Sequence, residues 1–171
     1  MKRSKITAFI MTSVIALSMT ACSGKTVEET PDNTTSANVQ TASADVSSIG
    51  DAVIKLYNGI DMILIGEDKM NFYFSDLDMT KVDSFYAAKA QDGYTDHFVI
   101  VKLNDSAYSA QVSEIFKTYA ADLAETYADY APIEADRASK ALISTVEDDY
   151  VVLVISEDNS TVLSYVKSFF K

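Results

Sequence analysis

The chain has 171 residues, 48% of them hydrophobic and 23% charged, which is typical of one globular domain with extensions and excludes a wholly disordered chain. Its formal net charge of -11 disfavours binding to nucleic acid or docking on an anionic lipid surface, since both present phosphate. A single cysteine excludes an internal disulfide and a cysteine-rich zinc site, and a single histidine excludes a poly-histidine metal site.

Residues 1–21 have the pattern of a secretory signal. A basic start, Lys2 to Lys5, precedes an uncharged and mostly apolar stretch of 13 residues from Ile6 to Ser18. Such a stretch is too short to span ~30 Å of hydrocarbon comfortably, and its length fits the hydrophobic region of a signal peptide. The sequence therefore predicts export from the cytoplasm.

The end of this signal allows two interpretations. Met19, Thr20, Ala21 and Cys22 resemble the bacterial lipobox, in which the cysteine thiol receives a diacylglyceryl group and becomes the mature N-terminus. The alternative is ordinary cleavage by signal peptidase after Ala21. That enzyme requires a small residue three places before the cut, and Met19 at this place is large. The only cysteine directly follows the apolar stretch, so we favour lipidation at Cys22, with the lipid chains anchoring the protein in the membrane.

A linker is predicted to follow the lipidated cysteine, so that residues 22–44 form one segment. It is rich in Ser, Thr, Ala, Asn and Asp, and it has no hydrophobic period. As a flexible chain it would reach ~25 Å; an ordered loop is the alternative.

Loss of residues 1–21 removes three basic residues and no acidic ones, which shifts the net charge from -11 to -14.

Residues 45–171 are predicted to form a single domain. Apolar residues at helical spacing from Val46 to Tyr57 predict a first helix, with Ser43 or Asp45 as its N-cap and Asn58-Gly59 as its end. The run Met62–Ile65 is ambiguous, because it could extend the helix or fill a gap in the core. A short apolar and aromatic stretch, Met70–Phe74, precedes a turn at Asp78 or Thr80.

The rest of the chain has a more regular pattern. Strands are predicted at 84–90, 97–103, 141–146 and 150–155, a long helix at 107–127 that Pro132 terminates, and a last helix capped by Asp158 or Asn159. The order is β-β-α-β-β-α after the N-terminal helix. We therefore expect an α+β fold with a mostly antiparallel four-stranded sheet and helices packed on one face.

Two kinds of residue are candidates for chemistry, a histidine beside an aspartate and the acidic stretches. Asp96 and His97 could form a proton-transferring pair, but no nucleophile accompanies them, so a surface or strand-edge histidine is favoured. The acidic stretch at 76–78 does not fit a calcium loop, since Lys81 and Ala87 stand where such a loop needs Gly and Glu. The acidic stretches at 147–149 and 157–158 lie at predicted turns, where solvated charge is favoured over a weak site for a divalent ion. No catalytic residue, metal or cofactor is therefore predicted.

Tyrosine is abundant, with 10 residues and no tryptophan. Tyr86, Tyr94 and Tyr108 lie near the turn ends of the first predicted hairpin. They are the candidate interaction surface, since tyrosine is favoured at interfaces, although ordinary structural tyrosines are the simpler interpretation.

Four short stretches carry a resemblance to a family of lipoproteins of Gram-positive bacteria, domain of unknown function 4358. They are Tyr73-Phe74-Ser75-Asp76, Asp96 to Lys102, Tyr130 to Glu134 and Asp149 to Leu153. The sequence departs from the family pattern at His97, where Glu is expected, and at Asp149, where Gly is expected. The resemblance implies location and fold class but no chemistry.

The sequence thus predicts a non-enzymatic lipoprotein on the extracytoplasmic face of the cell membrane, which presents a small domain for binding or assembly at the envelope. Its expected partners are the membrane, through the lipid, and an envelope protein, with no nucleic acid. Two alternatives stay open. One is an envelope hydrolase that uses Asp96 and His97, and the other is capture of a small ligand or ion for a transporter.

Overall fold

The computed structural model describes residues 45–91 and 93–171. The predicted signal at 1–21, the lipidation site Cys22 and the linker at 22–44 lie outside these residues. Within the described part, the helices are α1 Val46–Val53, α2 Glu67–Tyr73, α3 Ser109–Tyr127, α4 Pro132–Ser139 and α5 Asn159–Lys167. The strands are β1 Met62–Leu64, β2 Val82–Ala90, β3 His97–Leu103, β4 Leu142–Val146 and β5 Tyr150–Ile155.

These strands form one open antiparallel sheet in the order β1-β2-β3-β5-β4. The α+β class and the antiparallel sheet are confirmed, but the expected number of four strands is wrong, because the ambiguous Met62–Ile65 run contributes the edge strand β1. Met62 pairs with Ala90, while Ile63 and Leu64 remain 47% and 61% exposed. A strand of three residues is too short to show a recognisable alternation of apolar and polar side chains.

Helices cover both faces of the sheet, so the expectation of helices on one face is wrong. On one face, Val99, Val101 and Leu153 of the central strands pack with Val112 and Phe116 of α3. The opposite face packs against α1 and α5 through a second apolar cluster, which contains Ile49, Phe98, Ile100, Val152 and Val162. Strands β3 and β5 are therefore buried on both sides, which explains their continuous apolar sequence.

Side-chain caps and turn residues fix the helix boundaries. Asp45 accepts hydrogen bonds from the backbone N–H groups of Ser47 and Ser48 at the start of α1, and Asp158 caps α5 in the same way. Gly59, at φ 83°, lies in the turn that follows the first helical segment, as expected. Pro132 does more than follow α3, because it is the first residue of α4, where its missing N–H costs nothing.

Gly50 is the point of closest approach between α1 and the sheet. A Cβ atom at this position would overlap the aromatic ring of Tyr86. Gly50→Ala should therefore destabilise the protein by about 2 kcal/mol, even though alanine is the better helix former. Chemical denaturation measures this effect, with Ser47→Ala on the exposed side of α1 as the control, which should change stability by less than about 0.5 kcal/mol. Equal stability of Gly50→Ala and the wild type would contradict this packing.

Candidate functional site

A buried ionic cluster joins α4 to the loop between β2 and β3. Nη1 of Arg137 donates to Oδ2 of Asp96 at 3.0 Å and to both carboxylate oxygens of Glu134 at 2.7 Å. The Glu134 carboxylate also accepts from the backbone N–H of Thr95 at 2.8 Å and from the Thr95 hydroxyl at 3.0 Å. We call these four residues, Thr95, Asp96, Glu134 and Arg137, the Arg137 cluster.

Local structure brings the members of the cluster together. Glu134 and Arg137 are three residues apart in α4, so their side chains lie on the same side of the helix. Pro132 starts the helix, which places the Glu134 carboxylate in the first turn, where the helix dipole favours negative charge. Thr95 and Asp96 immediately precede β3, and the backbone N–H of Ala90 donates to the Asp96 carbonyl at 2.8 Å, which closes the hairpin.

The cluster holds one positive and two negative side chains with little access to water. The side chains of Asp96 and Arg137 are 5% and 21% exposed. Burial raises the pKa of Asp96 above its usual value, the Arg137 guanidinium lowers it, and the Glu134 charge adds to the increase. Burial, with a smaller contribution from Asp96, likewise raises the pKa of Tyr57, whose hydroxyl donates to the His97 carbonyl at 2.8 Å.

Asp96 and Arg137 of the cluster line a cleft of about 480 Å³, which we call the Asp96 cleft. Its lining combines the charged residues Asp96, Arg137, Glu157 and Asp158 with the apolar side chains Leu56, Ile60 and Val162. This volume lies within the range of small-molecule binding sites. A second cleft, of about 460 Å³, is lined in part by Tyr73, Asp76 and Tyr119, but its carboxylates are all exposed.

His97 is buried, so the expectation of a surface or strand-edge histidine is wrong. Its Nδ1 lies 2.9 Å from the Thr95 carbonyl and its Nε2 lies 2.7 Å from the Tyr119 hydroxyl. Because a carbonyl only accepts, Nδ1 must carry the proton, and Nε2 then accepts from Tyr119. Burial lowers the pKa of His97 to about 4. The residue is therefore a neutral structural link between β3 and α3.

Asp96 and His97 do not form a pair. Asp96 bonds to Arg137 at the Asp96 cleft, whereas the His97 ring packs against Tyr119 of α3. Neighbouring residues at the start of a strand point to opposite faces of the sheet, so the two side chains diverge.

The three tyrosines of the candidate interaction surface do not form one exposed patch. Tyr86 is 8% exposed and packs toward α1, where its hydroxyl donates to Asp51. Tyr108 is 5% exposed and lies in the cluster on the other face. Tyr94 alone is accessible, at 50%. The turn-end positions were misleading because side chains at successive strand positions alternate between faces.

Two of the three acidic stretches, 76–78 and 157–158, contain a carboxylate with a local structural role. Asp78 and Asp158 are helix caps, and hydrogen bonds from the hydroxyls of Thr80 and Thr161, followed by those from backbone N–H groups, lower the pKa of both carboxyls. In the segments 45–91 and 93–171, no group of three or more His, Cys, Asp or Glu side chains is arranged to hold a metal ion.

The fold is a three-layer α+β domain with an open antiparallel sheet, and the Arg137 cluster is a mostly buried polar group at its edge. The chain belongs to the family described as Domain of unknown function (DUF4358), which matches residues 43–156. No curated protein and no solved structure matches it. Two of the stretches that carry the resemblance meet in the cluster, since one contributes Asp96 and another contributes Glu134.

Arg137 was not singled out from the sequence. The only local signal was its spacing of three residues from Glu134, which is common on solvated helices.

In the described segments, no helix is both long and apolar enough to cross a bilayer.

His97 is the only histidine, so its ring can be followed without ambiguity. We expect the Nδ1–H tautomer at neutral pH and a pKa of about 4 in ¹⁵N-detected NMR. Because the folded pKa lies below the unfolded value of 6.5, the unfolded chain binds the proton first as the pH falls. Stability should therefore decrease from pH 6.5 toward pH 4, by roughly 3 kcal/mol in total from this residue. Titration of the ring near pH 6.5 would rule out this burial.

Arg137→Met removes the only cation that contacts Asp96 and Glu134 within the described residues. It should lower the free energy of unfolding by about 3 kcal/mol, since two buried carboxylates lose their partner. Denaturant unfolding gives the value. Lys140→Gln breaks an exposed ion pair with Asp136 on the same helix and should cost less than about 0.5 kcal/mol. A similar, small effect for both variants would show that the cluster adds no stability.

Proposed function

We propose that the protein is a lipoprotein of the extracytoplasmic membrane face that presents residues 45–171 as a binding domain on the linker 22–44. The observation that carries the anchor is the position of the only cysteine, Cys22, directly after a signal-like apolar stretch. Two or more acyl chains on one cysteine give stable attachment, because each buried CH₂ contributes ~0.8 kcal/mol.

Binding is better supported than catalysis. A general base must reach its substrate, but both ring nitrogens of His97 are engaged inside the protein and its pKa is lowered to about 4. The alternative of an envelope hydrolase that uses Asp96 and His97 also requires the two side chains to act on one substrate. They point to opposite faces of the sheet instead. Arg137 holds the Asp96 carboxylate in an ion pair.

Capture of a small ligand, rather than assembly with a protein, is the form of binding that the Asp96 cleft favours. The cleft is concave, partly apolar and lined by a few converging polar groups, which are the usual properties of a ligand site. The tyrosines expected to form a protein-binding surface are mostly buried. We therefore propose that the role of this domain is ligand capture at the extracytoplasmic face of the membrane.

Cys22→Ser tests the anchor. The variant should move from the membrane fraction to the soluble or secreted fraction, because it lacks the thiol that receives the lipid. Fractionation of cells followed by mass spectrometry of the N-terminal peptide measures this directly. Thr35→Ala, in the predicted linker, is the matched control and should stay in the membrane fraction. An unmodified Cys22 in a protein that remains in the membrane fraction would refute anchoring through this residue.

A further inference from the structure

We propose that the Asp96 cleft binds a small ligand that carries both an ammonium group and an oxygen acceptor. This inference rests on the proposed binding function and specifies the chemistry of its ligand. Three properties of the cleft carry it: an incompletely used guanidinium, an excess of negative charge, and an apolar part of the wall.

The guanidinium of Arg137 is only partly used by the protein. All of its hydrogen bonds to described residues come from Nη1, which serves Asp96 and Glu134. Nε and Nη2 form the second edge of the planar group, and this edge is suited to one oxygen acceptor or to a pair of them. Because the other side of the guanidinium is fixed by two carboxylates, this edge is held in place before a ligand arrives.

The charge of the cleft determines which acceptor-bearing ligands fit. Three carboxylates, of Asp96, Glu157 and Asp158, line it together with the single guanidinium of Arg137. The formal charge of these groups is -2, and Glu134, which contacts Arg137 without lining the cleft, adds another negative charge nearby. A simple anion would therefore be repelled, although the guanidinium edge could donate hydrogen bonds to its oxygen atoms. A ligand with its own positive group would be attracted.

Glu157 is the group best placed to bind that cation. Asp158 uses its carboxylate to cap α5, through the backbone N–H and the hydroxyl of Thr161. The Asp96 carboxylate is paired with Arg137. Glu157 is exposed and makes no hydrogen bond or ion pair with the described residues, so its carboxylate remains available to an ammonium group.

The apolar side chains limit the ligand to a small organic molecule. Leu56, Ile60 and Val162 line the same cleft, so a ligand can bury carbon atoms against them while its polar groups meet Arg137 and Glu157. Amino-acid derivatives and amino sugars share this chemistry, with an ammonium group and an oxygen acceptor on neighbouring carbon atoms.

The test compares matched probes on the full chain, purified with its N-terminus as it occurs in cells. Glycinamide and glucosamine carry both groups, acetamide and glucose lack the positive charge, methylammonium lacks the acceptor, and acetate is an anion. Thermal unfolding is followed at constant ionic strength and at a slightly acidic pH, where the amines are charged. We expect glycinamide or glucosamine to raise the unfolding midpoint by about 3 °C or more, and each control compound to raise it by less than half as much.

Variants assign the effect to the cleft. Glu157→Gln should reduce the midpoint shift by at least half, whereas Glu125→Gln, an exposed carboxylate on α3, should leave it unchanged. Arg137→Lys keeps the charge but loses the planar edge that binds an oxygen acceptor. In this variant, glycinamide and glucosamine should therefore shift the unfolding midpoint no more than methylammonium does.

The possible results separate the two proposals. A preference for glycinamide identifies an amino-acid derivative as the ligand class, and a preference for glucosamine identifies an amino sugar. Equal shifts with the charged and neutral probes, no shift with any probe, or an equal loss in Glu157→Gln and Glu125→Gln would overturn the ligand assignment. If the ligand assignment fails but mass spectrometry finds lipid on Cys22 in the same preparation, the proposal of a lipid anchor still stands.

Discussion

Arg137 links α4 to the residues that precede β3, and it adds an ion pair to the hydrogen bonds between Thr95 and Glu134 at the same junction. It contacts Asp96, which lies 41 positions earlier in the chain, and Glu134, one turn away in α4. The buried residues of α4 are Glu134 and Ala138, so this helix has little apolar surface with which to position itself. The ionic cluster supplies a directional contact that hydrophobic packing of this helix cannot, because hydrogen bonds to a planar guanidinium fix orientation as well as distance.

The same interaction connects the fold with the proposed site. Arg137 is held on one edge by two carboxylates and lines the Asp96 cleft, so the stability of the cluster and the shape of the cleft depend on one side chain. A second link between stretches that carry the family resemblance lies at the other end of β3, where Lys102 faces Tyr150 across the β3–β5 pair and approaches its ring. These residues join segments of the fold, so their role does not require catalysis.

Sequence reasoning predicted the local elements better than their packing. The bounds of β3 and β5 were obtained because long apolar runs between turn residues define buried strands. The same runs also indicated burial on both faces, which the prediction of helices on one face overlooked. Edge strand β1 is too short to show a period. The pairing of Arg137 with Asp96, and of His97 with Tyr119, depends on contacts between distant segments, and no spacing in a single sequence encodes them.

The central claim is that Arg137 and Asp96 stabilise each other across the junction of α4 and β3. A double-mutant cycle with Asp96→Asn and Arg137→Met, measured by denaturant unfolding, isolates this interaction from the other effects of each substitution. A coupling free energy of about 2 kcal/mol is the predicted result, since the pair is mostly buried and hydrogen-bonded. Additive effects, with a coupling below about 0.5 kcal/mol, would contradict the account.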